Sequence, residues 1–127
     1  MAKFDLKDGF WHLPVAREDV DLLGFQHPRS GRYLHWLYLP FGVMPAPAIF
    51  QWVAECIRSA LRRRGLRAVI VYIDDWLIVA DSADELREAM RIFVEFVGPE
   101  GLGWGINGRK TLGPAQALGS PWTACAP

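Results

Sequence analysis

Two adjacent aspartates interrupt the most apolar stretch of this chain. The segment Val69–Ala80 reads VIVYIDDWLIVA, and Asp74 and Asp75 are the charged residues within it. Two carboxylates about 4 Å apart repel each other by ~4 kcal/mol at an effective dielectric constant of about 20. A partly buried pair must therefore become protonated, find a cation or destabilise the fold. Because no Lys or Arg lies within the segment, the pattern favours a divalent cation over a simple solvated turn.

The residues around this pair are typical of a tight β-hairpin. Val69–Ile73 and Trp76–Ala80 are rich in β-branched and aromatic residues, so we predict two strands with the aspartates at or near the turn. Mg²⁺ prefers hard oxygen ligands and usually shares its shell with substrate phosphates, which points to phosphoryl transfer. We expect a third carboxylate, Asp5, at the same site, with turn or N-cap chemistry as the alternative for that residue. Three such carboxylates could hold two metal ions about 3.5–4 Å apart.

The rest of the pattern predicts an α+β domain with an antiparallel β-sheet backed by helices. Apolar residues recur at helical spacing from Ala46 to Arg64, which predicts the first helix. A second helix begins after Ser82, whose spacing from Glu85 is that of a capping box. The other predicted strands are Ala2–Leu6, Leu22–His27, Arg32–Leu39 and Leu102–Ile106. Residues 115–127 are rich in Pro and small side chains, which is typical of a weakly ordered C-terminal tail.

Composition is that of an ordinary single globular domain. The 127 residues are 51% hydrophobic and 22% charged, so we expect a buried core rather than disorder. The formal net charge is zero, which does not exclude nucleic acid because a neutral protein can carry a basic face. The cluster of Arg62, Arg63, Arg64 and Arg67 is interpreted as a solvated helix end.

The sequence carries few signals of cellular location. Its two cysteines have no disulfide or metal-ligand spacing, which favours a reducing, intracellular compartment. The N-terminus does not have the pattern of a signal peptide, and no apolar run approaches the roughly 20 residues that span a bilayer. We therefore expect no membrane partner.

Four blocks of the sequence follow one another along the chain: FDLKDGFWHLPV at Phe4–Val15, LPFGVMPAPAIFQ at Leu39–Gln51, YIDD at Tyr72–Asp75 and WGINGRKTLGP at Trp104–Pro114. In this order they resemble motifs A, B, C and D of the palm of a reverse transcriptase of the retroelement and retrovirus kind. A YIDD box alone would be weak evidence for this family, whereas four blocks in order at fitting distances are specific evidence. A fifth block, QALGSPW, is loosely similar to motif E at Leu118 and Gly119. The resemblance identifies residues 1–114 as a truncated, palm-like reverse transcriptase domain.

The resemblance implies an RNA-directed DNA polymerase that adds deoxynucleotides to a primer 3′-OH with two Mg²⁺ ions, for which Mn²⁺ can substitute. It implies metal ligands from the side chains of Asp5, Asp74 and Asp75 and from the backbone carbonyl of Leu6. Lys110 matches a motif D lysine that donates a proton to the leaving pyrophosphate, with a plain solvated lysine as the alternative. The residues that it implies in nucleotide and template binding are Asp8, Gly9, Phe10, Phe41, Gly42, Pro47 and Tyr72.

Among these residues, Phe10 has the most specific implied role. It falls where the family carries an aromatic ring under the incoming sugar, and such a ring leaves no room for a 2′-OH. A core phenylalanine is the alternative interpretation. The implied partners are an RNA or DNA template with a DNA primer, together with dNTPs.

The chain starts at the motif A block, so we expect the fingers, thumb, connection and ribonuclease H segments to belong to a larger polyprotein. This expectation leaves open a second class of function: a catalytically inactive retroelement remnant, or a retained nucleic-acid or protein-binding module. Two other enzymes are weaker alternatives. An RNA replicase palm usually carries a Gly-Asp-Asp box, and a metal-dependent nuclease of other ancestry would not carry the ordered blocks.

Overall fold

The computed structural model describes residues 1–115, which form an antiparallel four-stranded sheet backed by two helices. The predicted α+β class and the predicted order of elements are confirmed. The elements are β1 (Ala2–Lys7), β2 (Gly24–Gln26), β3 (Tyr33–His35), α1 (Ala46–Arg63), β4 (Val69–Tyr72), β5 (Asp75–Ile78), α2 (Ala83–Val97) and β6 (Gly105–Ile106). The sheet order is β4-β5-β1-β6, while β2 and β3 form a separate hairpin. The predicted tail and the QALGSPW block lie outside the described residues, apart from Ala115.

Strand register divides the central sheet into two faces. Directly opposed residues of antiparallel strands point to the same face, and successive residues point to opposite faces. Phe4 is opposite Trp76 and Asp5 is opposite Asp75. Phe4 and Trp76 are fully buried, and their rings lie 4.5 Å and 5.3 Å from the ring of Phe93 in α2. The two aspartates therefore share the sheet face that α2 does not cover, here called the aspartate face.

The two helices begin and end for local reasons. Pro47 occupies the first turn of α1, where its missing N–H costs no hydrogen bond. The hydroxyl of Ser82 accepts a hydrogen bond from the N–H of Glu85 at 3.2 Å and so caps α2. The carboxylate of Glu85 accepts from the N–H of Asp81 at 3.3 Å, one residue before the usual capping-box partner. Both predicted helices are thus confirmed to within a residue at their starts.

The β4–β5 hairpin is confirmed, with its turn formed by Ile73 and Asp74. Asp75 is the first residue of β5 and pairs with Tyr72, so both strands differ by one residue from the predicted halves at the turn, and β5 ends two residues before the predicted Ala80. Ile73 has a φ of 55°, a left-handed conformation that β-branched residues rarely adopt. A positive φ at the first turn residue is the pattern of a type II′ turn, which suits the right-handed twist of hairpin strands.

The β2–β3 hairpin is shorter than the sequence predicts. Val20–Leu23 forms a 3-10 turn, so the predicted strand from Leu22 loses its first residues. Aromatic side chains beside this hairpin pack against one another: the ring centroid of Trp36 lies 5.4 Å from that of Phe25 and 5.2 Å from that of Trp11. Among the residues that the structure describes, no helix has the length and apolar character to cross a membrane.

Candidate active site

The structure brings Asp5, Asp74 and Asp75 to one end of the central sheet. Asp5 is opposite Asp75 in the β1–β5 ladder. The N–H of Leu6 donates to the carbonyl oxygen of Asp74 at 3.1 Å, and the N–H of Asn107 donates to the carbonyl oxygen of Asp5 at 2.9 Å. Backbone hydrogen bonds therefore fix the main chain of all three acidic residues relative to one another.

Asp5 is the buried acid of this group. It is 7% exposed, and its Oδ2 lies 3.3 Å from the Nζ of Lys110. Lys110 follows β6 on the other side of β1, and its side chain is mostly exposed. The lysine that the sequence singled out for proton transfer is thus an ion-pair partner of the predicted metal ligand.

Asp75 also has a lysine partner, which sequence reasoning missed. The Nζ of Lys3 lies 2.9 Å from Oδ1 of Asp75, and both side chains are largely buried. Lys3 and Asp5 are two residues apart in β1, so they point to the same face of the sheet. That spacing was the available signal: the cation that the Val69–Ala80 segment lacks is supplied by the neighbouring strand.

The surroundings of Asp74 disfavour the charged form of its carboxyl group. Burial raises the pKa of Asp74 above its ordinary value of 3.8, and the nearby carboxylates of Asp5 and Asp75 raise it further. A hydrogen bond with its own backbone N–H and the charge of Lys110 act in the opposite direction. An additional cation beside Asp74 would therefore stabilise the charged form of its carboxyl group.

The carboxylate oxygens at this end of the sheet suit a hard divalent cation, although residues 1–115 do not form a ready three-residue cage. Across residues 1–115, no group of three or more His, Cys, Asp or Glu side chains is arranged to hold a metal ion. Mg²⁺ seldom needs such a cage, because one or two carboxylates plus substrate phosphates commonly complete its shell. Asp74 and Asp5, with their oxygen donors at one sheet end, meet that smaller requirement. Their role as ligands stays a prediction.

The residues predicted on the nucleotide side form a packed aromatic layer after β1. The ring of Phe10 lies 4.6 Å from that of Phe50 and 4.9 Å from that of Phe41. Phe10 and Phe50 are buried, whereas Phe41 is 67% exposed. Asp8 has a φ of 55° and Gly9 follows it directly, so the chain turns between β1 and Phe10. Phe10 is thus packed as a core phenylalanine, as the alternative interpretation expects. Its role in excluding a 2′-OH stays a prediction.

The other predicted binding residues fall into two groups. Tyr72 is opposite Asp75 and is 61% exposed, so it belongs to the carboxylate end of the sheet. Gly42 and Pro47 lie instead in the loop and first turn that lead into α1. Gly42 has a φ of 88°, so glycine suits that loop conformation.

This antiparallel sheet, its two helices and its acidic end agree with the family that the sequence matches. The family model described as "Reverse transcriptase (RNA-dependent DNA polymerase)" matches residues 1–112. The chain therefore belongs to the reverse transcriptase family.

Similar proteins of plant and animal viruses agree with this assignment. Polyprotein P3 of Commelina yellow mottle virus is 31% identical over 101 residues, which are 80% of this chain and 5% of the viral protein. The Gag-Pol polyprotein of Rous sarcoma virus subgroup B is 35% identical over 92 residues, which are 67% of this chain and 6% of the polyprotein. The chain thus spans only a small part of these relatives.

Solved structures show the same fold. The protease–reverse transcriptase of prototype foamy virus matches 87% of this chain and 14% of its own, with a TM-score of 0.71 and 25% identity. A foamy viral protease–reverse transcriptase in complex with an RNA/DNA hybrid matches with a TM-score of 0.63 at 23% identity. The predicted palm architecture is confirmed by these matches.

Proposed function

We propose that this chain is the palm segment of an RNA-directed DNA polymerase that adds dNTPs to a primer 3′-OH. The observation that carries the proposal is the meeting of Asp5, from the first strand, with Asp74 and Asp75, from a hairpin far along the chain. Membership of the reverse transcriptase family supports the reaction class. The hybrid bound to the similar foamy viral enzyme supports an RNA or DNA template with a DNA primer as the partner.

In this proposal, Asp5 and Asp74 are the principal ligands of Mg²⁺ or Mn²⁺, with Asp75 and the Leu6 carbonyl completing the acidic end. A bound divalent ion would supply Lewis acidity and neutralise negative charge at the reacting phosphate. The chain's own contribution is to hold these oxygens on a rigid sheet. The backbone bonds from Leu6 to Asp74 and across the β1–β5 ladder serve this purpose.

The two lysines balance the carboxylate charge before substrate arrives. Lys3 lies against Asp75 and Lys110 lies against Asp5. Because the Lys110 side chain is mostly exposed, it can turn from Asp5 towards a leaving pyrophosphate and donate its proton there. Lys3 is more deeply buried and keeps Asp75 in place within the sheet.

The aromatic layer would select the sugar. Phe10 is fixed by its stack on the buried Phe50, so its ring cannot retreat to admit a 2′-OH. Phe41 offers an exposed ring beside it, and the backbone at Asp8 and Gly9 faces the triphosphate in this proposal. Gly42, Pro47 and Tyr72 would shape the surrounding template and primer contacts.

Primer extension by a longer polyprotein-derived enzyme that contains this chain tests the proposal. Asp74→Asn should abolish extension while it leaves the fold intact, because an amide cannot replace the charged metal ligand. Asp81→Asn is the matched control, since Asp81 is an exposed turn acid beyond β5 and should leave extension unchanged. Extension retained in Asp74→Asn would exclude the metal role. Nucleic-acid binding without any extension by the parent would favour the inactive binding module.

A further inference from the structure

The side chain of Gln51 connects helix α1 to the turn that carries Asp74. Its Oε1 accepts a hydrogen bond from the backbone N–H of Ile73 at 2.7 Å. Its Nε2 donates to the carbonyl oxygen of Val71 at 3.4 Å and to Oε1 of Glu55 at 3.1 Å. The reversed amide would place its NH₂ against an N–H and its oxygen against two acceptors, so the three partners define one orientation.

Ile73 is the residue whose conformation most needs such support. Its φ of 55° lies in the left-handed region, where a β-branched side chain crowds its own backbone. Conformations of this kind persist only where the surrounding structure holds them. The short bond from the Ile73 N–H to Gln51 is a contact of that type, and it comes from an element outside the hairpin.

The conformation of Ile73 decides where the two aspartates lie. Asp74 is the second turn residue, and Asp75 pairs with Tyr72 immediately after it. If Ile73 returned to an extended or right-handed conformation, the chain would leave the turn in another direction. The Asp74 backbone would then move away from Leu6, and Asp75 would lose its place opposite Asp5.

We propose that Gln51 is a positioning residue: its amide holds Ile73 in the left-handed conformation and thereby aims the carboxylates of Asp74 and Asp75. The inference rests on the proposed function, since it explains how α1 supports the metal-binding turn. Gln51 itself makes no contact with the proposed metal. It acts through hydrogen bonds to the backbone of the turn that carries the proposed ligands.

Gln51→Met removes the amide while it keeps the length of the side chain. In this chain we expect the backbone NMR shifts of Ile73 and Asp74 to move, and Mn²⁺ affinity measured by calorimetry to fall by roughly 10–100-fold. Ser59→Ala is the matched control, because the Ser59 hydroxyl also bonds to Glu55, through its carbonyl oxygen at 2.9 Å, without contacting the turn. Ser59→Ala should change neither readout.

Rescue separates positioning from a general effect on stability. Glycine adopts positive φ without strain, so Ile73→Gly in the Gln51→Met background should return the Asp74 shifts and the Mn²⁺ affinity towards the parent values. Unchanged Asp74 shifts in Gln51→Met, or no recovery with Ile73→Gly, would overturn the inference. If the parent chain binds no Mn²⁺, the proposed metal role fails, and the Asp74 shifts alone still decide whether Gln51 positions the turn.

Discussion

Gly9→Ala tests how closely the residues on the nucleotide side are packed. A Cβ at position 9 would lie 2.7 Å from Cζ and 3.1 Å from Cε2 of Phe50, which is inside the normal separation of nonbonded carbons. Phe50 has little room to move, because it is fully buried and its ring is stacked 4.6 Å from that of Phe10. Adding a methyl group to a packed core costs about 1–3 kcal/mol. We expect the free energy of unfolding, measured with urea and tryptophan fluorescence, to fall by that amount.

Two comparisons make this prediction specific. Gly108→Ala is the matched control, because a Cβ there meets no heavy atom within 4 Å and should change stability by about 0.5 kcal/mol or less. Phe50→Leu removes the ring atoms that the added methyl group would strike, so Gly9→Ala should cost less in that background. The double-mutant cycle should give an interaction energy of about 0.5–3 kcal/mol. An equal cost of Gly9→Ala in both backgrounds would refute the argument from the Phe50 ring.

Three further predictions concern the carboxylates and the sugar pocket. Because burial raises the pKa of Asp74, its carboxyl group stabilises the fold below the unfolded value of 3.8 and loses this contribution as pH rises through the folded pKa. Asp74→Asn should therefore resist urea better than the parent at pH 7, with the difference shrinking as pH falls towards 3.8; a less stable variant at pH 7 would contradict this. Lys3→Met should lower the free energy of unfolding by about 1–3 kcal/mol, since it leaves the largely buried Asp75 carboxylate without its partner, and an unchanged melting temperature would show that the pair contributes nothing. Phe10→Val should let ribonucleotides compete with dNTPs in primer extension by an enzyme containing this chain. An unchanged sugar preference would show that Phe10 does not exclude the 2′-OH.

The sequence predicts the β4–β5 hairpin but not the residues of its turn. The β-branched and aromatic residues on both sides of Asp74 are a local signal, and they suffice for two strands. The turn itself has neither Gly nor Asn to mark the residue with positive φ. Ile73 takes that position with the support of Gln51, which is 22 residues earlier in the chain. A contact of this range cannot be read from neighbouring residues.

The two helices are predictable because their determinants are local. The apolar spacing that predicts Ala46–Arg64 matches α1, which ends at Arg63. Ser82 caps α2 through a hydrogen bond to a residue only three positions later. Neither feature depends on how the strands pair.

The acidic site is predicted in part for the same reason. Charged residues in an apolar segment are visible in the sequence, so Asp74, Asp75 and Asp5 can be identified from their surroundings. The pairing of Lys3 with Asp75 depends on the register of β1 against β5, which no local pattern fixes. The contact between Lys110 and Asp5 likewise requires the chain after β6 to return beside β1.

The most direct test of the proposed site is calorimetric titration of Mn²⁺ into this chain and into its Asp5→Asn and Asp74→Asn variants, with circular dichroism to verify the fold of each. Asp5 lies in β1 and Asp74 in the turn between β4 and β5, so both can be required only if they meet at one metal site. The account predicts that the parent binds Mn²⁺ and that each substitution removes the binding. A parent chain that binds no Mn²⁺, or a folded variant that binds it as tightly as the parent, would contradict the account.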